Sequence, residues 1–267
     1  MTSTPEPPPP RVLAAFGLVG GPERLAGGQE TSWRVGQIVL KPSVDPRHQE
    51  WLGTVVARLK QRGFRLPTVR RAEDGAWVVL GWGAQSFLPG STVLQGMPDW
   101  GSIIGASRAL HAATAALERP EFLDHRSDPW ARADRDAWAD SPRPTAPELR
   151  GLVERLKTVP PPTGRAQLVH GDLTSNVLMQ PDELPSVIDF SPYWRPPSYA
   201  EGIVVADALC WHAAPLGIVD ELRVPIEAVA RGLLFRALTS GYLHRPGSAA
   251  LQADARRYRS VTTALRL

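Results

Sequence analysis

The strongest constraint on the fold is the segment from Gln167 to Phe190, in which apolar runs alternate with polar residues. One apolar run precedes Asp172 and Asn176, and a second ends at Asp189. Apolar runs of this length between turn-forming residues predict buried strands. We therefore expect a strand–loop–strand block that holds the three polar side chains at one rim of a small sheet, pointing into a cleft.

This set of side chains suits one type of chemistry. Phosphoryl transfer to a hydroxyl needs a carboxylate that orients the hydroxyl and accepts its proton, and it needs oxygen ligands for Mg²⁺. Two aspartates and an asparagine supply both. The alternative is a pair of buried strands with incidental polar turns, which requires base, ligands and spacing to coincide.

The first 80 or so residues have mainly strand character. β-Branched and aromatic residues on both sides of Gly36 predict a hairpin, and residues 69–82 predict two more strands around a turn at 73–75. Apolar residues at helical spacing predict one amphipathic helix over 48–62. This part is expected to be a small β-rich unit with one main helix.

The rest of the chain is mainly helical. A joint rich in glycine, proline and serine at 81–91 separates the two parts, and Asp99 is a candidate N-cap for a helix that runs to Leu117. We predict an α+β protein with a disordered Pro-rich arm at 1–10, an N-terminal lobe at 11–85 and a C-terminal lobe at 86–267. Further helices are predicted at 130–139, 147–159, 200–213, 224–243 and 251–265.

Charge and composition exclude several classes of protein. The net charge of +3 comes from arginines scattered among carboxylates, with no basic run that indicates a nucleic-acid partner. Cys210 is the only cysteine, so no internal disulfide forms. No apolar run approaches the length of a membrane span, and residues 1–10 lack the features of a signal peptide. We expect a cytoplasmic protein with no membrane or nucleic-acid partner.

The sequence of the loop resembles that of a known family. His170-Gly171-Asp172-Leu173-Thr174-Ser175-Asn176, followed by Ile188-Asp189-Phe190, is similar to the aminoglycoside phosphotransferase and choline kinase-like enzymes, which are relatives of protein kinases. The resemblance implies a two-lobed, protein-kinase-like fold with ATP and Mg²⁺ as cofactors. It also implies that Asp172 is the catalytic base, that Asn176 and Asp189 ligate Mg²⁺, and that His170 is a structural hydrogen-bonding group.

The resemblance extends towards the N-terminus. Gly27 and Gly28 look like the family's glycine-containing loop, and Lys41 looks like its nucleotide lysine. Glycine lets backbone N–H groups approach phosphate, and an ammonium group supplies a point charge to its oxygens. Lys41 is one of only three lysines in the chain. The alternative is that Gly27 and Gly28 are ordinary turn residues.

The resemblance implies roles for three further sites, and two of these assignments have alternatives. Glu50 is a candidate for the helix carboxylate that anchors Lys41, or else a solvated glutamate in the first turn of its helix. Asp207 looks like the aspartate that braces the catalytic loop, or else it is the polar face of an apolar helix. Trp82 and Ala84 fall where the adenine-binding hinge is expected.

Position in the chain makes Glu121–Asp140 the expected acceptor-binding region. Its six carboxylates and three arginines favour a cationic acceptor, with mixed charge on exposed helices as the alternative.

The sequence therefore predicts an ATP- and Mg²⁺-dependent O-phosphotransferase that acts on a hydroxyl of a small molecule: an antibiotic, sugar, amino alcohol or other metabolite. The alternative is a catalytically silent nucleotide-binding pseudokinase or scaffold protein. It has two motives: Ser191-Pro192 replaces the glycine of the protein-kinase pattern, and Glu50 lies only nine residues beyond Lys41, closer than the lysine-anchoring carboxylate is expected to be. The identity of the acceptor and the oligomeric state do not follow from the sequence.

Overall fold

The computed structural model describes residues 6–25, 31–42, 44–92, 99–140 and 146–267. Gly27 and Gly28, the predicted phosphate-contacting glycines, lie outside the described residues, as do residues 1–5 of the predicted disordered arm. Pro8 is buried and a helix begins at Pro10. The folded part of the chain therefore starts before Arg11.

The helices found in the described residues are α1 Pro10–Ala15, α2 Pro46–Thr54, α3 Trp100–Thr114, α4 Phe122–His125, α5 Pro129–Trp138, α6 Arg150–Lys157, α7 Pro197–Trp211, α8 Ile218–Glu221, α9 Ile226–Leu243 and α10 Ala249–Ala264. The strands in the same residues are β1 Glu23–Arg24, β2 Trp33–Val35, β3 Ile38–Lys41, β4 Val69–Arg70, β5 Val78–Val79, β6 Trp82–Ser86, β7 Ser91–Thr92, β8 Gln167–His170, β9 Val177–Met179, β10 Ser186–Val187 and β11 Pro192–Arg195. Among these helices, none combines the length and apolar character that crossing a bilayer requires.

The chain divides into two compact units. The first contains Met1–Thr92 and Leu178–Ile188, and the second contains Val93–Val177 and Asp189–Leu267. The lobe boundary near residue 85 stays a prediction.

The first unit is built on an antiparallel sheet in the order β1-β2-β3-β6-β4, with β5 paired to β6. The predicted hairpin is present: β2 pairs with β3, and Gly36 turns between them with a φ of +59°, a value that glycine adopts without steric cost. Val12 of α1 and Phe16, which caps that helix at its C-terminus, pack with Leu40 and Ala84 in the core of this sheet. The packing holds β3, and with it Lys41, in the interior of the sheet.

Residues 82–86, where the sequence analysis placed the adenine-binding hinge, form a central strand of this sheet. Ala84 is fully buried and pairs with Leu40 of β3 on one side and with Arg70 of β4 on the other. The Ala84 carbonyl also accepts a 3.4 Å hydrogen bond from Gln49 Nε2, and Trp82 is buried in the same strand. These contacts give no support to adenine binding by Trp82 and Ala84, and that role stays a prediction.

Helix α2 begins where the sequence indicates and ends earlier than predicted. Asp45 caps it by accepting hydrogen bonds from the backbone N–H groups of Arg47 and His48, and Pro46 occupies the first turn. The predicted helix over 48–62 stops at Thr54, and Val56–Arg58 form a short 3₁₀ turn. Three consecutive β-branched residues at 54–56 disfavour continuation of the α-helix.

The second unit is mainly helical, and all five helices predicted after residue 130 overlap an observed helix. At its centre α7 packs against α9 through two glycines. A Cβ on Gly202 would overlap the carbonyl of Ala228, and a Cβ on Gly232 would lie 2.5 Å from the carbonyl oxygen of Gly202. The two backbones therefore approach more closely than any side chain at these positions permits.

Strand β11 was not predicted, because the sequence analysis ended the strand block at Phe190. The strand runs antiparallel to β8, with Pro192 opposite His170 and Arg195 opposite Gln167. Proline is tolerated at the first residue of a strand, where it need not donate to the ladder.

Replacing Gly232 with alanine is expected to destabilise the second unit by about 1–3 kcal/mol, the range for overpacking a close-packed interior. The new methyl group would force α7 and α9 apart. Urea unfolding of purified protein measures the effect. Gly105→Ala is the matched control, because Gly105 lies in α3 with no atom within 4 Å of a built Cβ. A Gly232→Ala variant as stable as Gly105→Ala would contradict this account of the helix contact.

Candidate active site

The predicted catalytic loop begins at a fixed point of the second unit. Gly171 follows β8 directly, and its backbone N–H donates a 2.9 Å hydrogen bond to the carbonyl of Ser191. A Cβ at Gly171 would lie 2.5 Å from carbons of the Tyr193 ring, so no larger residue fits. The residue before Asp172 is thus held against the segment that follows Asp189.

Asp172 and Asn176 lie in direct contact. Asn176 Nδ2 donates to the Asp172 carbonyl oxygen at 2.6 Å and approaches Asp172 Oδ2 at 3.3 Å. The amide oxygen of Asn176 is the hard donor atom that remains for a cation. The Asp172 side chain is 47% exposed. Its carboxylate is therefore accessible to a substrate hydroxyl.

His170 is fully buried and makes structural contacts. Its Nδ1 accepts a 3.1 Å hydrogen bond from the backbone N–H of Asp172, so the proton of the neutral ring resides on Nε2. The backbone N–H of His170 donates to His111 Nε2 at 3.0 Å. Burial, reinforced by the neighbouring His170, lowers the pKa of His111 to about 3 and keeps its ring neutral as a hydrogen-bond acceptor. The sequence did not identify His111.

Asp207 lies buried in α7 and contacts the catalytic loop. Thr174 Oγ1 donates to Asp207 Oδ2 at 2.6 Å. This contact joins α7 to the middle of the loop, as the predicted bracing role requires.

Arg236 of α9 completes this cluster, and the sequence analysis missed it. Its Nε donates to Asp207 Oδ1 at 2.8 Å, and its Nη2 lies 2.6 Å from Asp207 Oδ2 and 2.9 Å from Asp172 Oδ1. Burial alone would lower the pKa of Arg236, but the carboxylates of Asp207 and Asp172 outweigh it and raise that pKa well above its usual value. The sequence signal that could have identified Arg236 is its place as a single arginine in the apolar run Leu233–Leu238.

Asp189 has an unusual backbone conformation. Its φ is +52°, in the left-handed region that few non-glycine residues adopt, and Ser191 Oγ donates to its carbonyl oxygen at 3.2 Å. Asp189 is exposed, and the next residue, Phe190, packs with its ring centroid 5.2 Å from that of His170.

The predicted magnesium ligands are one amide and one carboxylate. Both offer the hard oxygen atoms that Mg²⁺ prefers, and Mg²⁺ completes its shell with water and substrate phosphates. No three histidine, cysteine, aspartate or glutamate side chains converge on a possible metal position in the part of the chain that the structure describes. An amide oxygen and a carboxylate are donor types that fit a cation which also binds a nucleotide.

In the first unit, Lys41 is partly buried at the end of β3, and burial lowers the pKa of its ammonium group to about 8. On the neighbouring helix α2, Glu50 is exposed while Gln49 is buried against Gly83, the cross-strand partner of Lys41. The inward-facing residue of α2 is thus Gln49. The exposed position of Glu50 gives no support to its predicted anchoring role.

Three of the six carboxylates of the expected acceptor region are in ion pairs. Asp124 contacts Arg119 at 2.6 Å, Asp128 contacts Arg126 at 3.0 Å, and Asp134 contacts Arg195 at 2.7 Å. A cavity of about 140 Å³ next to β11 is lined in part by Asp124 and Asp134. Pairing with arginine reduces the excess negative charge that the composition of 121–140 indicates, and the preference for a cationic acceptor stays a prediction.

Comparison with solved structures shows the fold at low sequence identity. A choline/ethanolamine kinase family protein from Mesorhizobium loti has a TM-score of 0.59 at 16% identity, over 93% of this chain and 89% of that chain. Spectinomycin phosphotransferase APH(9)-Ia, solved with ADP and spectinomycin, has a TM-score of 0.54 at 12% identity, over 96% of each chain. A thermostable mutant of aminoglycoside phosphotransferase APH(4)-Ia, solved with ADP and hygromycin B, has a TM-score of 0.58 at 16% identity, over 95% of this chain and 97% of that chain.

These likenesses confirm the predicted α+β class, with an antiparallel sheet in the N-terminal part and a mostly helical C-terminal part. No curated protein sequence matches the chain. The model of the phosphotransferase enzyme family matches residues 24–193, which contain Lys41 and the whole predicted catalytic loop. Because this match spans more than half of the 267 residues, the chain belongs to the phosphotransferase enzyme family.

Proposed function

We propose that the protein is an ATP- and Mg²⁺-dependent O-phosphotransferase whose acceptor is a hydroxyl group of a small molecule. The observation that carries this proposal is the half-exposed carboxylate of Asp172, held by Arg236 and in contact with Asn176. A base that is fixed in place and open to substrate is what transfer to a hydroxyl requires.

Asp172 has the role of base. Its carboxylate accepts a hydrogen bond from the acceptor hydroxyl and takes the proton as the oxygen–phosphorus bond forms. Because phosphoryl transfer passes through a loose transition state, orientation of the hydroxyl contributes more than its deprotonation. The buried contacts of His170 and Asp207 keep the loop rigid enough for that orientation.

Asn176 and Asp189 have the role of metal ligands, through an amide oxygen and a carboxylate. Mg²⁺ bound there would neutralise charge on the phosphate oxygens of the nucleotide. Lys41 has the role of phosphate contact. A partly desolvated ammonium group is poorly stabilised by water, so an anionic phosphate is a favourable partner for it.

Two structures with the same fold were solved with ADP, and their second ligands are spectinomycin and hygromycin B. They support nucleotide binding and a hydroxyl-bearing small molecule as acceptor in this proposal. The acceptor class stays open, since antibiotics, sugars, amino alcohols and other metabolites all fit the residues described.

One of the two motives for the catalytically silent alternative, the Ser191-Pro192 departure, is explained by the local structure. Ser191 accepts the backbone hydrogen bond of Gly171, and Pro192 is the first residue of β11. The departure from the protein-kinase pattern is therefore accommodated by regular structure next to the loop. No specific contact in the described residues favours a scaffold role over an enzyme.

Asp172→Asn is expected to lower the rate of phosphoryl transfer by about 10²–10⁴-fold, the usual contribution of general acid–base catalysis. The amide keeps the shape of the side chain and an oxygen that can accept from Arg236, so nucleotide affinity should change by no more than about threefold. Transfer of labelled phosphate from ATP to a panel of hydroxyl acceptors measures the rate, and calorimetric titration with ADP and Mg²⁺ measures the affinity.

Asp182→Asn is the matched control, because Asp182 is exposed and also has a positive φ, +59°, which asparagine tolerates. It should leave transfer unchanged. Full activity in Asp172→Asn would refute the role of Asp172. ADP binding by the wild-type protein with no transfer to any acceptor would instead favour the silent alternative.

Lys41→Met is expected to lower turnover and to remove a pH-dependent part of the free energy of unfolding. Because burial lowers the pKa of Lys41 to about 8 from the usual 10.5, the unfolded chain binds more protons than the folded chain between these values. The stability of the wild type therefore rises as pH increases from 8 to 10.5, and Lys41→Met lacks this contribution. The free energy of unfolding of the wild type should increase relative to that of Lys41→Met across that window.

Urea unfolding at neutral and alkaline pH tests this prediction. Lys60→Met provides the control, since it makes the same replacement at an exposed lysine. If the difference in the free energy of unfolding between wild type and Lys41→Met stayed constant from pH 8 to pH 10.5, the desolvation account of Lys41 would be wrong.

A further inference from the structure

We propose that Arg236 is a positioning residue for the catalytic base: its guanidinium fixes Oδ1 of Asp172, so that Oδ2 is the oxygen that meets the acceptor hydroxyl. This inference rests on the proposed function and deepens it, because it assigns a residue of α9 to the orientation of the base. Arg236 lies outside the segment that the family model matches, which ends at residue 193.

The helix contact explains how Arg236 reaches the loop. Gly232 packs on the backbone of α7 at Gly202, and Arg236 lies one helical turn after Gly232 on the same face. Asp207 lies five residues after Gly202 on α7. Close approach of the two helices therefore lets the Arg236 guanidinium reach Asp207, independently of any contact with the loop.

Asp207 anchors the guanidinium. It takes two hydrogen bonds, from Nε at 2.8 Å and Nη2 at 2.6 Å, and its side chain is only 6% exposed. Such a bidentate pair fixes the plane of the guanidinium. Asp172 takes a single bond, at 2.9 Å, with a side chain that is 47% exposed. Arg236 is therefore fixed by Asp207 of α7, and in this position it donates a hydrogen bond to Asp172. This is the arrangement expected of a residue that positions another side chain.

The two oxygens of Asp172 have different surroundings. Oδ1 contacts Arg236, whereas Oδ2 has a 3.3 Å contact with Asn176 Nδ2. The shorter bond of that amide, 2.6 Å, goes to the Asp172 carbonyl oxygen. Oδ2 thus retains the capacity to accept a hydrogen bond from a substrate.

The test is Arg236→Lys, measured alone and together with Asp172→Asn. Lysine keeps a positive charge beside Asp207 but lacks the planar fork that spans both carboxylates. We expect kcat to fall at least about tenfold, with the KM for ATP within about twofold, because the change affects orientation of the base. In the Asp172→Asn background the same substitution should change the residual rate by less than about twofold, since it acts through Asp172.

Arg231→Lys is the matched control. Arg231 also lies on α9 and is buried, and it donates to the carbonyl groups of Ala137 and Val159. Its replacement disturbs a buried arginine without touching the loop, so kcat should stay within about twofold. An unchanged kcat in Arg236→Lys would overturn the proposal. So would an equal loss of rate with and without the Asp172 carboxylate, which would reveal a purely structural role.

Crystal structures of the wild type and of Arg236→Lys give a readout that does not depend on turnover. The proposal predicts that the Asp172 carboxylate rotates away from its wild-type orientation in the variant, while α7 and α9 stay in place. An unchanged carboxylate contradicts it. If no acceptor is phosphorylated by the wild type, the proposed function fails, and this comparison still decides whether Arg236 positions Asp172.

Discussion

The candidate site depends on one guanidinium held between two carboxylates. Arg236 joins α9 to Asp207 of α7 and to Asp172 of the loop, and Thr174 adds a second bond from the loop to Asp207. Removing either member of the buried Arg236–Asp207 pair leaves an uncompensated charge, which costs about 3–5 kcal/mol in buried ion pairs. The loop therefore has its geometry imposed by the helical core, and its own short sequence only needs to supply the reacting groups.

Helix packing makes this cluster possible. Ion pairs of this kind require the two helices to approach within reach of one side chain, and the glycines at 202 and 232 permit that approach. The same logic applies on the other side of the loop, where Gly171 lets the Tyr193 ring pack against the backbone. The three glycines thus permit close packing of helices and strands around the loop. This packing fixes the position of Asp172.

The sequence predicted those parts of the molecule whose signals are local. β-Branched residues around Gly36 predicted the hairpin, and Asp99 was correctly assigned as an N-cap, since it accepts a hydrogen bond from the Ser102 backbone. Arg236 could not be predicted in the same way, because Asp172 is 64 residues away and only the α7–α9 contact brings them together. Glu50 failed to face inward because a helix turns about 100° per residue, so the starting point of α2 at Pro46 selects Gln49. The sequence analysis did not predict β6 because glycines are frequent at its start. The strand forms because it pairs with neighbouring strands on both sides, which depends on the arrangement of the whole sheet.

The most direct test of the central claim is to locate the metal. Crystals grown with a non-hydrolysable ATP analogue and Mn²⁺ in place of Mg²⁺ reveal the cation by anomalous scattering. The account predicts a peak bound by the amide oxygen of Asn176 and the carboxylate of Asp189, with Asp172 close to the terminal phosphate and outside the metal's coordination shell. A nucleotide-bound metal without either ligand would contradict the assignment of this loop as the site of phosphoryl transfer.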